Sequence, residues 1–512
     1  MRINTDRRTL RSGFVCTRRV GHCPDRRKVI CVYSVEQSVF RTEKKMEKEM
    51  SLRKKLIGNK AFYAMVLGVL VPIVIQNGIT NFVGLLDNIM VGRIGTEQMS
   101  GIAIVNQLLM VFNLAIFGAV SGAGIFGAQF YGCKNNKGVQ QTFRFKFYIC
   151  TVIVIVGIIL LLVKGEDLIL LYLHGDDNQA ALEATLSFGK EYLVVMLLGL
   201  APFVIEEIYA GTLRECGETK LPMLAGVVAV LVNLVLNFLL IFGKFGFPKL
   251  GVVGAAVATV VSRVVQMVIV IVWTHTHTDR MPFIVGAYRE WRIPSPLTWN
   301  IIGKGTPLMV NEMLWSAGMA ILNQCYSMRG LEAVAALNIS TTISNLFSVV
   351  FAAMGSAISI IVGQLLGAGK MEEAKDTDTK LIAFSIMSCV VCGGVMAILS
   401  ELFTLLYNTS DEVRSLAGTL LRVAACCMPL WAFMHAAYFT LRTGGKTVVT
   451  FLFDSVFLWV VSIPAAYVLS RYTGLPLVSI YICISLLDII KCVIGFVLVK
   501  KGVWLNNIVA EK

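Results

Sequence analysis

A carboxylate set in a long apolar run has to be accounted for. An ionisable side chain in hydrocarbon is costly and persists where it moves charge, protons or a ligand. Asp87 lies near the end of the apolar stretch 62–90, and Glu206 and Glu207 fall late in 187–213. Glu312 sits near the middle of 299–328, within Pro307-Leu-Met-Val-Asn311-Glu312-Met-Leu-Trp315. Carboxylates so placed can attract a cation or carry a proton. Trp315, three residues beyond Glu312 on the same helical face, can stack on a flat cationic ligand. Gln76, Asn77 and Asn311 put neutral polar groups at the same levels. Asp488 and Lys491, three apart in the last apolar run, read as a neutralising pair on one face. Asp454 and Arg263 have no assigned partner.

Catalytic chemistry finds no such support. The chain holds neither HExxH nor GxSxG. Gly445-Lys-Thr447 has the tail of a phosphate-binding loop, but Thr440 stands where the earlier glycine belongs, so it reads as a turn between spans. His275-Thr-His277 is an isolated pair expected to be solvated in a loop. Cys389-Val-Val-Cys392 has redox spacing inside an apolar run, where packing is the better account. The chain is therefore not expected to be an enzyme.

The elements that position these groups must be membrane helices. The 512 residues are 56% hydrophobic and 15% charged, with mean hydropathy +0.73. Soluble domains carry about 25% charged residues. A span needs about 20 apolar residues, and runs of that kind fall near 62–90, 101–130, 143–163, 187–213, 221–243 and 251–273. A second set falls near 299–328, 335–365, 381–406, 415–441, 447–469 and 475–499.

Net charge is +14, of which residues 1–45 supply +8 through twelve Lys/Arg against four Asp/Glu. The remainder is spread over loops, so it reads as topology signal and nucleic acid is not an expected partner. Taking the N-terminus as inside, the inner segments after residue 50 collect 22 Lys/Arg and the outer ones eight. That predicts cytoplasmic termini and an even number of spans, twelve, with Asp87 in the outer half of the first. The Arg-rich stretch 1–45, with Cys16, Cys23 and Cys31, reads as a mis-assigned extension ahead of a start at Met46 or Met50, or else as a disordered regulatory tail.

The two sets of runs are repeats of each other. At an offset of 235, Pro72 meets Pro307, Gly95 meets Gly330, Glu97 meets Glu332, Gln129 meets Gln364 and Gly132 meets Gly367. At 228, Leu213-Arg214 meets Leu441-Arg442, and Gly217 meets Gly445. Glu207 then falls opposite His435, which makes Glu206, Glu207 and His435 a candidate proton relay. Glu312 maps to Asn77, about 15 Å deeper than Asp87 at 1.5 Å per residue. An offset of six spans makes the repeats parallel, an arrangement in which substrate lies between or within the halves and rocking gives alternating access. Pro72 and Pro307 permit a bend or a static kink. Gly118-Ala-Val-Ser-Gly122 and Gly363-Gln-Leu-Leu-Gly367 have the spacing of close helix packing.

With these motifs in order, the chain resembles the MATE (multidrug and toxic compound extrusion) family of the MOP flippase superfamily. Asp87-Asn-Ile-Met-Val-Gly-Arg-Ile-Gly95, Gly127-Ala-Gln-Phe-Tyr-Gly132 and Val362-Gly-Gln-Leu-Leu-Gly-Ala-Gly369 are similar to its signatures. So are Leu213-Arg-Glu-Cys-Gly-Glu-Thr219, Leu441-Arg-Thr-Gly-Gly-Lys-Thr447 and Asn233-Leu-Val-Leu-Asn237 with Gly251-Val-Val-Gly-Ala-Ala-Val-Ala-Thr259. The likeness spans about residues 60–505.

It implies an all-α integral membrane protein of twelve transmembrane helices in two pseudo-symmetric six-helix bundles. The expected organisation is a basic segment 1–50, bundles at 51–275 and 299–500, a cytoplasmic linker 276–298 and a tail 501–512. Asp87 becomes the cation-coupling carboxylate of the first bundle, with Asn233, Asn237 and Thr259 as polar neighbours. Some members carry a second Asp where this chain has Asn237, and an Asp in the tenth helix where it has Trp431 or Ala432. Glu312 is the second coupling candidate. The expectation is efflux of organic cations or amphipathic drugs by Na+ or H+ antiport from a multi-pass monomer in the plasma (inner) membrane, with lipid around it. No cofactor is expected, and no metal beyond Na+ at Asp87. A lipid-linked precursor flippase or a dedicated metabolite exporter of the same superfamily is the alternative.

Overall fold

The computed structural model of the chain describes residues 56–510 apart from 93, 173–178 and 408, and no side chain at 83–86, 88 and 89. The expectations about 1–45, Met46 and Met50 lie outside the described residues. Helices α1 Lys60–Gly92, α2 Thr96–Gly132 and α3 Asn136–Leu170 are followed by α4 Gln179–Leu198 and α5 Leu200–Glu215, a pair bent by 44°. Then come α6 Lys220–Phe242 and α7 Gly251–Thr276. The second half runs α8 Ser295–Ser327, α9 Leu331–Gly367, α10 Met371–Ile398, α11 Ser400–Thr404, α12 Asp411–Thr443, α13 Thr447–Phe451, α14 Ile463–Tyr472 and α15 Leu477–Lys500. Between α13 and α14 the chain stays helical through two π turns, Leu452–Val456 and Leu458–Ser462.

Among the described residues ten helices, with 447–472 taken as one, are long and apolar enough to cross a membrane, and the bent pair makes an eleventh. The twelfth is α8. It has the length of a span, but Lys304, Asn311, Glu312, Asn323 and Gln324 lower its apolarity. Backbone groups in lipid must bond within their own helix, and among the described residues no strand occurs. Leu162, Val235, Val391 and Val493 are each more than half exposed, an apolar outer surface suited to acyl chains. The ten described cysteines are all free, and Cys389 is fully buried.

The halves meet along α1, α2, α8 and α9. Small residues let α2 and α8 approach closely: a Cβ on Gly122 would lie 2.7 Å from the Gly305 Cα, and one on Gly118 would lie 2.7 Å from the Met309 Cα. Pro72 and Pro307 lie inside continuous helices, α1 and α8.

At the end of the molecule where α2 and α9 finish, the repeat closes on itself. A Cβ at Gly132 would strike the Gln364 carbonyl at 2.0 Å, and one at Gly367 would strike the Gln129 carbonyl at 1.9 Å. Gln129 donates to the Thr443 carbonyl (3.0 Å), and Gln364 donates to the Glu215 carbonyl (2.8 Å). The C-terminal stretch straps this junction. Gln129 also donates to the Asn506 carbonyl (3.3 Å) and accepts from the Ile508 amide (2.9 Å), Asn507 donates to the Gly367 carbonyl (3.1 Å), and Trp504 is 1% exposed.

The segment between the halves is equally engaged. Arg144 donates to the Ala287 carbonyl (2.7 Å) and the Gly286 carbonyl (3.2 Å), and Tyr148 donates to the Trp291 carbonyl (3.0 Å). His275 hydrogen-bonds Tyr209 (3.1 Å) and stacks on Tyr288, while His277 stacks on Trp273 at 4.4 Å. Both histidines thus pack against aromatic rings at the end of α7, with His275 still exposed and His277 partly so.

Candidate functional site

A cavity of about 970 Å³ lies between the halves. Its lining reaches Tyr326 at the far end of α8 and Leu337 near the start of α9, the ends opposite the strapped junction. Gln76, Asn77, Glu206, Glu207, Glu312, Trp315 and His435 all line it, so these sequence candidates share one space.

Its second-half wall is a polar network. Arg442 donates to Glu312 (3.3 Å), which also accepts from the Tyr438 hydroxyl (3.3 Å). Asn311 donates to Tyr438 (3.2 Å) and to Asp454 (3.3 Å), while its own amide oxygen accepts from the Ser455 hydroxyl (2.7 Å). Asp454 lies in the first π turn, where the wider winding sets it towards Asn311 and Lys491. Lys491 donates to Asp454 (3.1 Å), and Asp488 accepts instead from the Trp431 indole (3.1 Å). The expected Asp488–Lys491 pair is thus replaced. Spacing along one helix identified who can meet, but a carboxylate on a facing helix took the lysine. Sequence reasoning left Asp454 and Arg263 unplaced, and both line the cavity.

In the first half, Glu207 pairs with Arg214 (3.3 Å), and Glu206 accepts from Gln266 (2.9 Å). His435 packs against Phe351 and Phe439 at 5.3 and 4.8 Å between ring centres.

Asp87 belongs to a separate cluster outside the cavity lining. Asn237 donates to Asp87 (2.7 Å) and to Asn233 (3.1 Å), and Asn233 donates to Thr259 (3.4 Å). The near end of the Asn233 amide is 3.0 and 3.2 Å from the two Asp87 oxygens; turned over, its nitrogen donates to both, in exchange for the bonds with Asn237 and Thr259. Asparagines four apart on α6 and a threonine on α7 are what bring these groups to α1. Asn237 Oδ1 is buried without a partner. Carboxylate, amide and hydroxyl oxygens around such an orphan acceptor suit a hard cation or a proton.

Beside the cavity lies a buried ion pair that motif spacing did not reveal. Lys146 reaches both Glu215 oxygens at 2.6 and 2.7 Å and Thr212 at 2.9 Å. A Cβ on Gly127 would lie 2.1 Å from that carboxylate, which gives the Gly127-Ala-Gln129 motif a steric reason.

A sequence model of the MatE family matches the chain twice, over residues 72–239 and 307–468, stretches that begin 235 residues apart. The chain is 25% identical over 422 residues to the probable multidrug resistance protein YoeA of Bacillus subtilis, covering 81% of this chain and 88% of that one. It is 23% identical over 474 residues to the probable multidrug resistance protein NorM of Thermotoga maritima, covering 91% and 96%. Among solved structures, the outward-facing conformation of a multidrug resistance MATE family transporter superposes with TM-score 0.76 at 20% identity, over 88% of this chain and 97% of that one. A MOP superfamily transporter from Pyrococcus furiosus superposes with TM-score 0.77 at 20% identity over the same shares. Two matches of one family model, at the spacing of the internal repeat and over most of the membrane region, make this chain a member of the MATE family.

Proposed function

We propose that the chain is a secondary active efflux transporter that exports amphipathic organic cations by antiport against Na+ or H+. The observation that carries this reading is a single cavity, lined by carboxylates from both halves, that reaches one end of the bundle and is clasped at the other. With the basic loops facing the cytoplasm, the clasp lies inside and the cavity opens outward. Rocking the halves 51–275 and 299–500 about the α2–α8 contact then exchanges access between the two sides. The names of YoeA and NorM, both probable multidrug resistance proteins, support the cargo class. Asp87 with Asn233, Asn237 and Thr259 is the coupling site in this reading. Glu312 couples from the cavity itself, and Glu206, Glu207 and His435 hold protons or cargo there.

The test is ethidium efflux from cells expressing the chain, with the Na+ and proton gradients varied separately. Wild type should extrude ethidium under one gradient, and Asp87→Asn should cut the rate at least about tenfold at unchanged expression, the scale of losing one essential proton- or ion-carrying group. Glu312→Gln should do likewise. Efflux untouched by both substitutions removes them from the mechanism. A wild type that extrudes no cation favours the flippase or metabolite-exporter alternative.

A further inference from the structure

The cavity's charges do not cancel in pairs. Glu207 is matched by Arg214, Glu312 by Arg442 and Asp454 by Lys491. Among the described residues, Glu206, Asp488 and Arg263 make no ion pair of their own, although Glu206 lies near enough to feel the charge of Arg263, and Asp488 that of Lys491. Glu206 and Asp488 are nonetheless hydrogen-bonded, to Gln266 and Trp431. Arg263 is not: its Nη1 is buried without any hydrogen-bond partner, and its guanidinium carbon lies 4.8 Å over the Phe203 ring, another cavity residue.

Two further observations separate this arginine from an accident of packing. It is twelve residues from Gly251 and thirteen from Thr276, the ends of α7, so about 18 Å of helix lies on either side of it. That is too deep for the side chain to reach an interface. The internal repeat then shows what is missing. Asn311 corresponds to Gln76 at the 235 offset, and Asp454 to Gly226 at 228; Asn311 bonds Asp454 in one half, and Gln76 lies against Gly226 in the other. The last span of the second half carries Lys491, neutralised by Asp454. The last span of the first half carries Arg263, and the position equivalent to Asp454 is a glycine.

We infer that Arg263 forms an anion-receiving subsite and that the favoured cargo is a zwitterionic amphiphile: an aromatic body on Phe203, a carboxylate on Arg263 and a cationic group on the opposite wall at Asp488 and Trp431. A guanidinium is always charged and offers a rigid fork of donors that matches a carboxylate in two parallel bonds. Asp488 lies eleven residues from Leu477 and twelve from Lys500, mid-depth in α15 as Arg263 is in α7. One molecule with separated charges can therefore satisfy both groups. This inference rests on the transport reading for its meaning, but its test is binding.

The probes are rhodamine 110, a zwitterion with a free carboxylate, and rhodamine 123, its methyl ester, which keeps the cation and loses the anion. Fluorescence anisotropy with the purified full chain in lipid nanodiscs gives both dissociation constants. Wild type should bind the acid about tenfold or more tighter than the ester, the worth of one charge-assisted contact. Arg263→Gln should abolish that preference while leaving ester affinity within about twofold, and Arg263→Lys should restore part of it. Equal binding of acid and ester by wild type overturns the inference whatever the variants do, and so does a preference that survives Arg263→Gln. Loss of ethidium efflux with an intact, Arg263-dependent acid preference would sink the transport reading and leave the subsite standing. Efflux without acid preference would do the reverse.

Discussion

Lys146 and Glu215 illustrate how one residue's chemistry fixes its neighbours. The lysine is fully buried and spends its donors on both carboxylate oxygens and on Thr212. Two ions taken out of water cost more than their attraction returns unless each lone pair and proton is met. Breaking such a pair from one side strands a buried charge, at about 3–5 kcal/mol. Lys146→Met should therefore lower the thermal unfolding midpoint of the detergent-solubilised protein sharply, and Lys146→Met with Glu215→Gln should recover much of the loss. If the single variant unfolds with wild type, the pair does not hold the fold. The pair was hidden in the sequence because Lys146 falls 69 positions from its partner and no repeat position announces it. Asp87, Asn233, Asn237 and Thr259 were findable because family-like motifs carry them, and the structure gathers them into one hydrogen-bonded chain. Trp431 is a different case. The resemblance sets an aspartate at Trp431 or Ala432, and here the Trp431 indole bonds Asp488 on α15, so a carboxylate occupies that wall from another helix.

Among elements, the contact of α2 with α8 sets how the halves meet. The glycine spacing on α2 was legible as a packing surface, and its partner is the Gly305–Met309 stretch of α8. Gly122→Leu drives a side chain into backbone, and overpacking of this kind costs about 1–3 kcal/mol. Gly303→Leu, on α8 but with nothing within 4 Å of its added Cβ, is the control for helix propensity and hydrophobicity. Gly122→Leu should lower the unfolding midpoint and Gly303→Leu should not; equal effects would mean that the close contact is unimportant. Apolar length and the repeat marked out all twelve runs, 299–328 included. That run, α8, is weak in apolarity because it faces the cavity with Glu312 and Asn323 and buries Asn311 behind it. The π turns of 452–462 left no periodic trace, and so the position of Asp454 was illegible. The stretch 504–508 looked like a plain tail, since nothing in four or five residues signals that their backbone completes a junction.

At the scale of the whole molecule, the repeat becomes a lock. Gln129 and Gln364 are equivalent residues at the ends of equivalent helices, each lying against the other half's glycine and donating to a carbonyl at the end of α12 or α5. Alternating access requires this junction to open, so its hydrogen bonds weigh directly on the balance between the two states. Each bond from a glutamine to a helix end contributes about 1 kcal/mol net. Losing those two alone shifts a two-state equilibrium by about 2 kcal/mol, or about thirtyfold, and Gln129 also gives up its two bonds to the strap. Cys216 supplies a native reporter. It is 5% exposed and follows Glu215, whose carbonyl accepts from Gln364. In Gln129→Ala with Gln364→Ala, maleimide modification of Cys216, followed by mass spectrometry of its peptide, should accelerate by at least about that factor; Gln364→Ala alone should give roughly its square root, and Gln129→Ala, with more bonds to lose, a larger effect. Unchanged labelling in the double variant would show that the junction stays shut on other contacts, with the strap of Trp504 and Asn507 the next to be removed. Acceleration by one substitution alone, with none from its counterpart, would mean that the symmetry of the clasp is geometric and the two halves do not share the load.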